Sequence, residues 1–149
     1  MRRLLIFVAL ALLGLVASPG YATASAVTVF TVQLAPTATG DKDGSGVAVL
    51  RLDLDNQRIC YDIVVRNIGR PVEPAPGIGS AHIHTALTGG VFVNLRTDFR
   101  SAGTNTYIAT GCVSATTADI QAILDNPDLY YVNVHTAEFP AGAIQGNLG

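Results

Sequence analysis

From Thr28 onward the chain is written in apolar alternation of period two, cut into short runs by clusters of turn residues. Successive side chains on a strand point to opposite faces, so such runs fit half-buried sheet rather than long amphipathic helix. Between Thr28 and Leu34, Phe30, Val32 and Leu34 alternate with Val29, Thr31 and Gln33. Gly40-Asp41-Lys42-Asp43-Gly44-Ser45-Gly46 is a turn cluster. It echoes a calcium loop at Asp41, Asp43 and Gly44 but has no distal Glu, which favours a solvated hairpin turn. Val47 to Leu54 then sets Leu50, Leu52 and Leu54 on one face, with Arg51 and Asp53 on the other. After the turn Asp55-Asn56-Gln57, Ile59 to Val65 turns Ile59, Tyr61, Ile63 and Val65 inward. These three runs predict an antiparallel meander.

The stretch Gly69 to Gly79 contains Pro71, Pro74 and Pro76. Proline has no N–H for a ladder, so this stretch predicts a crossover loop between sheets. Strands are predicted next at Ala81–Thr85 and, after the turn Thr88-Gly89-Gly90, at Val91–Leu95. Arg96 to Asn105 is polar and reads as loop, and Tyr107 to Val113 reads as strand. One helix is predicted. Thr116 is its N-cap, Asp119 favours its N-terminal turn, Ile120, Ile123 and Leu124 form its apolar stripe, and Asn126-Pro127 ends it. Strands at Tyr130–Thr136 and Ala143–Leu148 flank the turn Phe139-Pro140-Ala141-Gly142. The expected fold is all-β, a Greek-key-like antiparallel sandwich or flattened barrel with one short helix.

Ahead of this domain, Arg2-Arg3 precedes an uncharged apolar run from Leu4 to Val16, a Ser18-Pro19-Gly20 break and small residues up to Ala26. This order is that of a secretory signal peptide, read as residues 1–24, leaving one domain over 25–149. An uncleaved anchor is the other reading, although the run is short against the roughly 20 residues of a bilayer span. The whole chain carries 9 Lys+Arg against 11 Asp+Glu, a net of −2. Loss of Arg2 and Arg3 moves the net to −4. No basic patch suited to nucleic acid is visible, and no membrane span is expected after cleavage. The expected locations are secreted, periplasmic or cell envelope. The chain has two cysteines, and an even count in an exported protein predicts a Cys60–Cys112 disulfide. The loop it closes, about 50 residues, stabilises by roughly 4 kcal/mol in the chain-entropy model.

All three histidines fall in Ala81-His82-Ile83-His84-Thr85 and Val132-Asn133-Val134-His135-Thr136. Alternation puts His82 and His84 on one face, opposite Ile83, and puts His135 opposite Val134. Strands lying side by side would bring three imidazoles together on the polar, solvent-facing side of the sheet. Imidazole is a good ligand for copper or zinc, and three histidines leave an open coordination position. Asn133 and Thr85 are candidates to orient the imidazole N–H groups. The other reading is a hydrogen-bonded histidine seam between strands. No catalytic residue is identified: Ser114, Thr116 and Thr117 have no His or Asp placed for nucleophilic chemistry.

Three ordered motifs then carry a resemblance. They are His82-Ile83-His84 with Gly89-Gly90-Val91, Tyr131-Val132-Asn133-Val134-His135-Thr136, and Gly142-Ala143-Ile144-Gln145-Gly146-Asn147-Leu148. Together the chain resembles the CHRD (chordin) domain family over essentially the whole domain. Ala143, Gln145 and Asn147 stand where that family usually has Glu, Arg and Gln. The resemblance implies a secreted β domain and no defined activity, with an unidentified protein or small molecule as partner. A fainter, fold-level similarity links the His82-Ile83-His84 strand to copper/zinc superoxide dismutase, without that enzyme's fourth histidine or zinc loop. The reading is an exported structural or ligand-binding module with a three-histidine metal site. The alternative is a copper- or zinc-dependent redox protein.

Overall fold

The computed structural model describes residues 26–149, and the expected leader lies outside them. The described chain is all-β, as expected. Its strands are β1 (Val27–Pro36), β2 (Ser45–Asp53), β3 (Arg58–Arg66), β4 (Ala81–Thr85), β5 (Val91–Asn94), β6 (Arg100–Gly103), β7 (Thr106–Ser114), β8 (Tyr130–Val134) and β9 (Ile144–Asn147). The helix α1 (Thr117–Asp125) and a 3-10 turn (Pro127–Leu129) lie between β7 and β8. The strands form one antiparallel sheet in the order β5-β4-β8-β9-β1-β2-β3-β7-β6, curled into a half-barrel.

β1 is the hinge of the curl. Most of it, from Val27 to Leu34, pairs with β2, and Ala35 and Pro36 pair with β9. On one side of it β2, β3 and β7 keep unbroken register over their full lengths. On the other side β9, β8, β4 and β5 are short. The predicted meander is therefore β1-β2-β3, and the proline-bearing stretch does cross from one half-sheet to the other. The inner faces meet in one core. Val32, Leu50, Leu52, Ile59, Ile63 and Val65 from the first half pack with Ile83, Val132, Val134 and Ile144 from the second. At the end of the core α1 adds Ile120 and Ile123. Its cap is the predicted one: Thr116 Oγ1 accepts from the Asp119 N–H at 3.1 Å, satisfying a helix-end donor.

Cys60 and Cys112 are register partners on β3 and β7 and are disulfide-bonded, with S–S 2.09 Å. Cys60 is half-buried and Cys112 exposed, on the face opposite Ile59 and Tyr61. Two local expectations change. Arg100–Gly103, read as loop, is the edge strand β6; all four residues are exposed, so no buried alternation marks it. Asp53, expected to face outward, is only 4 % exposed. It holds the β2–β3 turn by accepting from Asn56 N at 3.0 Å and Asn56 Nδ2 at 2.8 Å, and it pairs with Arg58 at 3.4 Å.

Candidate metal centre

β4 pairs with β8 in the register His82↔Asn133 and His84↔Tyr131. Directly opposed residues share a face, so these four side chains stand together, away from the aliphatic core. β8 ends at Val134, and His135 lies one residue beyond it. The ring centroids of His82 and His135 are 4.9 Å apart, those of His82 and His84 5.5 Å, and those of His84 and His135 6.2 Å. One ring nitrogen from each histidine lies within 4.8 Å of the others. The fold thus brings together all three histidines singled out by sequence.

It does not leave them facing solvent. His82 is 0 %, His84 7 % and His135 5 % exposed. The cover is loop backbone. The stretch expected to serve only as a crossover folds over the strand ends: Pro71 bridges to Thr136, Val72 N–H donates to the His135 carbonyl at 3.1 Å, and His135 N–H donates to the Ser80 carbonyl at 2.9 Å. Asn94, the register partner of His82 on β5, anchors the same stretch by donating from Nδ2 to the Gly77 carbonyl at 3.1 Å.

The covering loops also dictate the tautomers. His82 Nε2–H donates to the Ile78 carbonyl, His84 Nδ1–H to the Gly89 carbonyl at 3.0 Å, and His135 Nδ1–H to the Pro140 carbonyl at 2.9 Å. A carbonyl only accepts, so each of these nitrogens carries the proton. In the neutral rings that leaves one bare nitrogen apiece: His82 Nδ1, His84 Nε2 and His135 Nε2. Two of these lone pairs, His82 Nδ1 and His135 Nε2, face each other at 3.1 Å. The third, His84 Nε2, is buried without a hydrogen-bond partner.

A proton between the first two would require an imidazolium, which the surroundings oppose. Burial, reinforced by the neighbouring histidines, pushes His135 down to about 4. Burial likewise lowers His82, against the opposing pull of the Ile78 carbonyl. His82 and His135 are therefore neutral donors facing each other where a proton is disfavoured, with His84 beside them. A 3.1 Å pair already stands close to the roughly 3.4 Å ligand–ligand edge of a tetrahedral ion with 2.0–2.1 Å metal–nitrogen bonds.

The N–H groups are oriented by three backbone carbonyls, and the two side chains expected to do so are bonded elsewhere. Thr85 Oγ1 accepts from Leu87 N–H at 3.3 Å in the β4–β5 turn, and Asn133 Nδ2 donates to the Ala141 carbonyl at 3.3 Å. Carbonyl partners leave no side-chain signature in a sequence. Tyr131 is the register partner of His84. It lies stacked on His84, with centroids 5.0 Å apart and planes 12° apart, which holds that imidazole from the side.

A family model described as the CHRD domain matches residues 23–148. No curated protein and no solved structure matches the chain. The superoxide-dismutase likeness thus remains a matter of one His-x-His strand.

Proposed function

The chain belongs to the CHRD domain family, and on that premise we propose that it is an exported module whose His82, His84 and His135 bind a single copper or zinc ion. The observation that carries this reading is the set of three buried, bare imidazole nitrogens whose tautomers are held by carbonyls of three separate loops. Such outer contacts orient ligands and raise their basicity. Three neutral nitrogens suit borderline ions, and the order of affinities places copper above zinc.

The role is structural or ligand-binding. An ion there ties β4 to the end of β8 and, through the ligands' own partners, to the three loops that cover them. Three protein ligands leave one position for a small exogenous ligand. Export is supported by the disulfide, which fits an oxidising compartment. Among the described residues no helix is long and apolar enough to cross a membrane.

Elemental analysis of protein produced with copper and zinc present tests the site. One ion per chain, lost in His84→Ala, is the expected result. A thermal shift should accompany loading, since an ion at a thousand times its Kd stabilises by about 4 kcal/mol. Absence of both ion and shift removes the reading.

A further inference from the structure

Two buried side-chain atoms among the described residues have no hydrogen-bond partner: His84 Nε2 and Asn133 Oδ1. An ion accounts for the first. The second stands on the same sheet face as His82 and His84. Asn133 is the register partner of His82, lies two residues before His135, and is 3 % exposed. Its amide is held in one orientation. Nδ2 donates to the Ala141 carbonyl at 3.3 Å, leaving Oδ1 as the free end. Gly142 packs flat against the amide: at its φ of 127°, a Cβ would lie 2.4 Å from Oδ1 and 2.6 Å from Nδ2. Only a residue without a side chain allows that approach.

A buried carbonyl oxygen without a donor costs about 1–3 kcal/mol. The three imidazole N–H groups all go to backbone carbonyls, so none of them donates to it. We infer that Asn133 Oδ1 is the acceptor for a proton-bearing ligand on the metal's open position. Water is the resting occupant, and hydroxylic or hydroperoxidic molecules are the class the position favours. An anion without a proton meets an oxygen lone pair there instead and is disfavoured. Asn133 is thus a specificity-determining residue for the exogenous ligand, and this inference rests on the metal-site reading.

The test uses cobalt(II)-loaded protein and azide, an anion with no proton to donate, followed in the visible spectrum. Wild type, Asn133→Leu and Asn133→Asp are compared for cobalt affinity and for azide affinity. Asn133→Leu removes the acceptor, and Asn133→Asp keeps an oxygen in place. The expected result is cobalt binding in all three, with azide binding about tenfold tighter in Asn133→Leu, the equivalent of one hydrogen bond of about 1.4 kcal/mol. In Asn133→Asp azide binds no tighter than in wild type.

Unchanged azide affinity in Asn133→Leu overturns the inference while leaving the metal site standing. A hundredfold loss of cobalt affinity in that variant also overturns it, by making Oδ1 a direct ligand. If Asn133→Leu does not fold, Asn133→Asp decides alone, and tighter azide there overturns the inference. Failure of wild type to bind cobalt, copper or zinc rejects the metal reading itself.

Discussion

The two halves of the curled sheet solve burial in opposite ways. β1, β2, β3 and β7 are long, keep continuous register, and hide aliphatic side chains against the core. Stability there comes from apolar area removed from water, which is non-directional. β4, β8 and β9 are short, and on their far side they bury three histidines and an asparagine under loop backbone. Burying polar groups costs free energy unless they find partners, so that side is directional and specific. One half is scaffold; the other spends part of its stability on a site.

Removal of the disulfide strikes the scaffold hardest. Replacing Cys60 and Cys112 by Ser should cost about 4 kcal/mol by loop-closure entropy, measured by urea unfolding. The separation of roles predicts metal affinity unchanged within about twofold. A large loss of metal binding would break the comparison. Leu50→Ala comes next. Leu50 is fully buried on β2, and its truncation should cost about 3 kcal/mol without altering metal stoichiometry.

Acid sharpens the contrast from the other side. In the metal-free protein His135 stays neutral down to about pH 4. The same residue in the unfolded chain takes up its proton near 6.5. Between those values the unfolded state binds more protons, so stability falls as pH drops from about 6.5 to 4, by as much as about 3 kcal/mol. His82 is shifted in the same direction and adds to the loss. Unfolding at pH 7 and pH 4.5 checks this, and His135→Asn should flatten the dependence. The smallest effect is at the exposed Arg51–Asp62 ion pair, 2.5 Å long on the outer scaffold face. Arg51→Ala should cost under about 1 kcal/mol and leave the site untouched.

Legibility followed the same division. Alternation located β1, β2, β3 and β7 because one face of each is apolar, and it placed His82 and His84 on one face of β4 and His135, just past β8, opposite Val134. It had nothing to say at β6, where Arg100 to Gly103 are all exposed. Asp53 was misplaced because its fate is set by a turn that needs its carboxylate, and the strand pattern is blind to that. The burial of the histidines was equally hidden. It is imposed by Ile78, Gly89 and Pro140 through carbonyls every residue possesses. The register that sets Tyr131 against His84 likewise belongs to a pairing the linear order does not state.

The pairing of β1 with β9 joins segments more than a hundred residues apart, with Thr37 Oγ1 donating to the Gly142 carbonyl beside it. Such distant closure is slow, because chain entropy is lost before the contact stabilises anything. The scaffold hairpins can form early from local contacts. The enclosure of the histidines draws on that closure, since β8 pairs with β9 and Pro140 between them holds His135, so it belongs to the non-local part of the fold.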